Sequence, residues 1–319
     1  MRDIICIGEL VIDFLPGKEP FTFTQNAGGA PANVAIAAAR NGLKAGMITK
    51  VGRDDFGKFL FRVLEKEGVE ILSPDMTDEA VTTLAFVTLT ESGERSFVFG
   101  RKPGADMFLA DGDVRDEDLA ETTVLHAGSF GLSGGITRET TIHVLERAHE
   151  LGKIVSFDIN YRNVAWKDDK EACAREVRTL LPVIDLLKVS DEEVDMLGAE
   201  AAIPALMKEN GITVCALTRG ADGVSCYFEG EDIFCKGYPA PVVADTTGAG
   251  DAFWGGFLSQ LLHSGVTGTK DITRQLIADA ADYGNISGSL CVREKGALSS
   301  LPGRDEILAY RAEHGWTAR

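Results

Sequence analysis

The sequence predicts an α/β protein with a mainly parallel, doubly wound sheet covered by helices on both faces, plus a small antiparallel sheet. Three observations predict it. Short continuous apolar runs recur along the chain, as buried parallel strands require. Helix-period segments separate them, which is the pattern of strand–helix–strand crossovers. Two stretches break that rhythm with strand–turn–strand patterns and no helix. At 319 residues the chain can bury a large core.

Taken in order, "IICIG" (4–8), "AGMITKVG" (45–52), "TVLHAGS" (123–129), "KIVSFDIN" (153–160), "DLLKVS" (185–190) and "TVCALTRG" (213–220) read as the buried strands. Between them, "GAPANVAIAAARNG" has Pro31 near its first turn and Gly42 after its last, the asymmetry expected of a helix. In "DDFGKFLFRVLEKEG", Phe56, Phe59, Leu60, Val63 and Leu64 line one helical face, which stops at Gly68. The two exceptions are "TTLAFVTLTESGERSFVFG" (82–100), a hairpin turning at Glu91–Glu94, and "ELVIDFLPG" (9–17) followed by "FTFTQN" (21–26). A projecting sheet has exposed edges, so it should cover a site or pair with another subunit.

A net charge of −17 makes a nucleic-acid backbone or an anionic membrane a poor partner. Six cysteines occur without a Cys-x-x-Cys pair or an accompanying histidine element, so scattered reduced core thiols are expected rather than zinc or disulfides. The apolar N-terminus is interrupted by Glu9 and Asp13, unlike a signal peptide, and no stretch reaches membrane-spanning length. The expected location is the cytosol.

"DTTGAGDAFWGGF" (245–257) combines a glycine turn with a carboxylate at the start of an apolar helix. Glycines let an anion approach backbone N–H groups, and the helix dipole favours negative charge there. A resting phosphate would be repelled by Asp251. A phosphoryl group in transit would not be, because a base can take the proton of the attacking hydroxyl while the N–H groups hold the developing charge. An ordinary tight turn into a helix accounts for the glycines equally well. No Lys-Ser/Thr follows, so this is not a Walker loop.

"DTTGAGDAF" resembles the C-terminal signature of the ribokinase-like (PfkB) sugar kinases, and "GGAPANVA" (28–35) resembles their N-terminal signature. The likeness runs from "IGELVIDF" to "KGALSSLP" (295–302). It implies a ribokinase-like three-layer α/β/α fold, with residues 1–319 as a single kinase domain and a β lid from about 9–27 and 82–101. It implies Asp251 as general base and Gly248, Ala249 and Gly250 as the anion hole. Asp13, Gly28, Gly29 and Asn33 would hold the sugar hydroxyls. "SDEE" (190–193) resembles the family's Asn-x-x-Glu element, so Ser190 and Glu193 would face the nucleotide phosphates, Glu193 reaching Mg2+ through water. Ser190 replaces the usual asparagine. Thr218, Gly220 and Gly223 would lie near phosphates or ribose, and Asn285 would line the adenine pocket. Asp245, Thr247 and Ser300 match a monovalent-cation loop for K+. "SDEEV" is also a good helix start, and "LTRGADG" a good glycine turn before a hairpin.

"SFDINYRNVAW" (156–166) resembles the Asp-x-Asn-x-Arg segment of the fructokinase and 2-keto-3-deoxygluconate kinase branch, and 84–109 resembles the bacterial fructokinase lid. Phe99, Arg101 and Arg162 would then meet the sugar. Ile159 stands where proline is usual, and Gly100 where the lid often carries tyrosine. The expected reaction is ATP plus D-fructose giving fructose 6-phosphate, in a homodimer paired through the lid. Two alternatives stay open: 2-keto-3-deoxygluconate as acceptor, and a sugar-sensing protein that has lost catalysis. The mark of the second would be a missing base or a broken anion hole, and Asp251 with Gly248–Gly250 is intact.

Overall fold

The computed structural model describes residues 1–17, 19, 21–89, 95–240 and 242–315, with 88, 89 and 95–97 by backbone alone. The turn expected at Glu91–Glu94 lies outside the described residues. The chain runs β1 (Arg2–Ile7), β2 (Val11–Pro16), β3 (Phe23–Gly28), α1 (Ala30–Arg40), β4 (Ala45–Ile48), α2 (Asp55–Lys66), β5 (Glu70–Ile71), β6 (Leu84–Leu89) and β7 (Arg95–Gly100). It continues with α3 (Asp116–Ala120), β8 (Thr122–Gly128), α4 (Ile136–Glu150), β9 (Ile154–Asp158), α5 (Lys170–Leu180), β10 (Leu186–Ser190), α6 (Ile203–Asn210) and β11 (Val214–Thr218). The last elements are β12 (Gly223–Phe228), β13 (Glu231–Lys236), α7 (Ala249–His263), α8 (Arg274–Cys291), α9 (Ala297–Ser300) and α10 (Arg304–His314).

All six expected core strands are present, as β1, β4, β8, β9, β10 and β11. Among the described residues they belong to a sheet of nine strands in the order β13-β12-β11-β10-β9-β8-β1-β4-β5. It is parallel from β11 to β5 and ends in the antiparallel edge β11-β12-β13. Along β1, Ile4 and Cys6 join one core cluster, with α1, α2, α7 and α8, while Ile5 and Ile7 join the other, with α4, α5 and α6. Side chains alternate across a strand, so a wholly apolar run is what two covered faces demand. The six cysteines are buried and unbridged, in line with the sequence reading.

The expected helices form for the expected reasons. Asp54 caps α2 by accepting from Gly57 N, and Gly68 follows its end at φ 76°. Leu60 and Leu64 are fully buried, each contributing about 2 kcal/mol, and Phe56, Phe59 and Val63 pack beside them. In α7, Trp254 and Phe257 stack at 4.8 Å, both fully buried.

The small sheet forms in the order β3-β2-β6-β7. Its two hairpins are antiparallel, as expected, but they join through a parallel pair, Ile12↔Leu84 to Phe14↔Phe86. The hairpin of β12 and β13 follows the "LTRGADG" glycine turn, as one reading of that stretch expects. Its signal is Glu229-Gly230, both at positive φ, between alternating apolar residues.

Candidate active site

In open parallel sheets, sites form beyond the carboxyl ends of the strands. Here Glu9 follows β1, Asp158 and Asn160 close β9, Ser190 and Glu193 follow β10, and Thr218 ends β11. The N-termini of α1 and α7 reach the same region, because Asn33 on α1 meets Asp251 on α7.

Asp251 lies in the first turn of α7 and is 4% exposed. Its Oδ2 accepts from Asn33 Nδ2 at 2.7 Å and its Oδ1 from Asn160 Nδ2 at 3.0 Å. Burial raises its pKa above the ordinary carboxylate range, against the pull of Arg162, the Asn33 hydrogen bond and Lys188. Gly248 caps α7 at φ 81°, and a Cβ there would stand 2.5 Å from Ala297 Cβ on α9. The turn therefore needs glycine on both counts. Ala249 N–H leans back on Thr246 O at 3.3 Å, and the first intrahelical bond is Ala252 N to Gly248 O at 2.8 Å. The N–H groups of Gly250 and Asp251 lie in the first turn, where a helix offers no acceptor of its own. Gly248–Gly250 are half-buried and open to an anion.

The opposite wall comes from the small sheet. Asp13 on β2 pairs with Asn26 of β3, and a Cβ on Gly28 would lie 2.0 Å from Asp13 Oδ2. Glycine at 28 thus makes room for that carboxylate. Gly29, at φ 119°, turns the chain into α1. Burial pushes the Asp13 pKa up to about 7, with exposed Arg162 opposing and Asp251 and Asp245 adding to the rise. Glu9 accepts from Ala30 N at 3.0 Å, and burial lifts it to about 7 as well. Arg162 is the cation facing both Asp13 and Asp251. Arg101 pairs with Asp106 at 2.6 Å, donates to Ser133 Oγ and lies over the Phe130 ring. Phe99 meets that ring at 6.0 Å, so both residues line the junction of the small sheet with the short helical turn Ser129–Ser133.

On the other side, Glu193 shapes the turn after β10. Its Oε1 accepts from Tyr161 N at 2.6 Å and its Oε2 from Ser190 N at 3.0 Å. Thr218 Oγ1 donates to Val189 O at 3.4 Å, while Gly220 and Gly223 hold the turn into β12 at positive φ. Asn285 Nδ2 donates to Cys235 O and Lys236 O, anchoring β13. Asp245 accepts from Thr247 N at 2.7 Å and Gly296 N at 3.0 Å, and Ser300 Oγ donates to Gly296 O. Among the described residues no group of three or more His, Cys, Asp or Glu is arranged to hold a metal.

The sequence reading assigned no role to Asn160, Asp158, Lys188 or Glu9. Lys188 carried a signal: a lysine inside the apolar run "DLLKVS" must find a partner when the strand is buried. That partner is Asp158, at 2.7 Å.

The description pfkB family carbohydrate kinase matches residues 1–304. The chain is 34% identical over 310 residues to the probable fructokinase-5 of Arabidopsis thaliana, covering 94% of each. It resembles the solved fructokinase of Xylella fastidiosa with bound ATP at a TM-score of 0.90 and 33% identity, covering 98% of each chain. The fructokinase of Vibrio cholerae O395 in its fructose, ADP and calcium ion bound form matches at a TM-score of 0.85 and 30% identity, over 97% of this chain and 99% of that one. With the sheet order, the two glycine turns and the buried Asp251 already placed, the chain belongs to the pfkB family of carbohydrate kinases.

Proposed function

We propose that this protein is a fructokinase that transfers the γ-phosphoryl group of ATP to the 6-hydroxyl of D-fructose. The observation that carries the reading is Asp251: a buried carboxylate held by two side-chain amides at a helix N-terminus, beside a glycine turn. The relatives support the substrate, since a fructokinase of similar fold is described with fructose and ADP bound.

Asp13, the 28–29 turn and Asn33 orient the sugar, with Arg162 balancing the carboxylates. Asp251 accepts the hydroxyl proton as the sugar oxygen forms its bond to the γ-phosphorus. The bond from that phosphorus to the bridging oxygen breaks, and ADP leaves with the electron pair. The Gly248–Gly250 N–H groups and the α7 dipole stabilise charge on the group in transfer. Mg2+, when bound with the nucleotide, would screen the phosphate charge. Glu193, with both oxygens already accepting backbone N–H groups, suits a place behind water rather than direct ligation. Ser190, Thr218, Gly220, Gly223 and Asn285 are assigned to the nucleotide, and the Asp245–Thr247–Ser300 loop to K+.

Residues 1–319 are taken as one kinase domain. Phe99 and Arg101 support the lid wall from behind the sugar. We assign a cytoplasmic homodimer paired through the small sheet, where Phe21, Phe23 and Val98 are exposed. No helix among the described residues is long and apolar enough to cross a membrane. Turnover on fructose, 2-keto-3-deoxygluconate and a panel of other sugars with ATP and Mg2+ tests the acceptor. Fructose is expected to lead in kcat/KM, and a large preference for the keto acid overturns the choice.

A further inference from the structure

A buried ion pair lies behind Asp251 that the assignments to sugar, nucleotide and metal leave unused. Lys188 Nζ donates to Asp158 Oδ2 at 2.7 Å, with the two side chains only 5% and 3% exposed. Asp158 Oδ2 also accepts from Asn160 Nδ2 at 3.3 Å, and the same nitrogen donates to Asp251 Oδ1 at 3.0 Å. The chain of contacts therefore runs from β10 through β9 to the carboxylate on α7. Lys188 reaches α7 directly as well: a Cβ on Gly250 would lie 3.2 Å from its Nζ. The ammonium thus sits against the first turn whose N–H groups face the anion.

Packing alone does not call for this pair. Its strand neighbours Leu186, Leu187 and Val189 are buried and apolar. Desolvating two charges commonly costs as much as their attraction returns, so an apolar pair would fill the space at no loss. Asp158 Oδ1, moreover, is buried with no hydrogen-bond partner among the described residues.

We infer that Lys188, acting through Asp158 and Asn160, is a positioning residue for phosphoryl transfer: it fixes the amide that holds Asp251 and sets a permanent positive charge behind the anion hole. The inference rests on Asp251 being the base. The groups facing Asp251 are Arg162, Asp158 and Lys188, with the carboxyls of Asp13 and Glu9 from the small-sheet side; those facing Lys188 are Asp158, Glu193 and Asp251, with neutral His126 nearby. Within that set Lys188 favours the ionised form of Asp251 and Asp158 opposes it.

The test is the pH profile of kcat/KM for fructose in Lys188→Met, Asp158→Asn/Lys188→Met and Asp251→Asn. In Lys188→Met the acid limb should move up by about one pH unit, and kcat at neutral pH should fall about tenfold, with recovery at higher pH. In the double variant, which buries no charge and so protects the fold, the limb should return to its wild-type position. Its kcat should stay about tenfold low, because the Asn160 amide has lost the carboxylate that orients it. A Lys188→Met profile that keeps its acid limb, or a double variant with wild-type kcat, overturns the inference. Wild-type turnover in Asp251→Asn overturns instead the assignment of the base.

Discussion

Asn33 donates its amide to Asp251 Oδ2 at 2.7 Å, across 218 residues of chain, and so ties the first turn of α1 to the first turn of α7. One turn follows Gly28, which stands against Asp13, and the other carries the glycines proposed as the anion hole. A single hydrogen bond therefore holds the proposed sugar wall and the proposed phosphoryl wall in register. The Asn160 bond to the other oxygen leaves the carboxylate little rotational freedom. A base must be held in this way if its lone pair is to meet the hydroxyl proton at the moment of attack.

Replacing that carboxylate while keeping its shape isolates the proton transfer. Asp251→Asn should lower kcat by at least about two orders of magnitude. Calorimetric ATP affinity should change little, since no nucleotide contact is assigned to this side chain. Turnover near wild type would refute the role.

Gly28→Ala should damage the sugar side alone. Its new Cβ would stand 2.0 Å from Asp13 Oδ2, so the carboxylate must swing away from its present place. The expected result is a fructose KM raised about tenfold or more, with ATP KM and melting temperature near wild type. Equal losses for both substrates would mean that the turn matters to folding and not to sugar binding.

The raised pKa values of Asp13 and Glu9 make stability depend on pH in a definite direction. Each group in the folded chain binds its proton up to about pH 7, while in the unfolded chain it releases it near pH 4. The stability this confers is full below the unfolded pKa and is lost as pH rises through the folded one. The melting temperature should therefore fall between about pH 4 and pH 7. Asp13→Asn and Glu9→Gln should each flatten that slope. Growing self-repulsion of a chain with net charge −17 acts the same way, but it is nearly equal in the variants, so the difference between slopes is the quantity to measure.

The hairpin of β6 and β7 is expected to close over the sugar and exclude water as a competing acceptor. Shortening the 90–94 segment should raise the fructose KM or the rate of ATP hydrolysis without sugar. If neither changes in steady-state assays, the segment is not a lid.

Most of the fold was legible in the residues. Six buried strands and the helices α1 and α2 were found by periodicity and end signals, because these depend on contiguous residues alone. A hairpin after "LTRGADG" was legible from its glycine turn, but the bounds of β12 and β13 were not, because the Glu229-Gly230 turn lacks the commoner Asn-Gly or Asp-Gly pair. At the site, Asp251, Asn33, Asp13 and the two glycine turns were readable as motifs, and the structure brings them together. Arg101 is legible only as a lid residue; that its guanidinium meets Asp106, five residues ahead in a short helical turn, depends on how the chain folds back after β7.

By itself the sequence determined the alternation of strands and helices, the two glycine turns and a carboxylate at the head of α7. Each follows from local periodicity, backbone freedom and the chemistry of neighbouring residues. Only the tertiary structure decided that Asn33 and Asn160 grip Asp251, and that Lys188 meets Asp158 behind Gly250. Those partners lie on separate strands and helices. Sheet order and the packing of α7 over it set which of them meet, and no stretch of contiguous sequence encodes either.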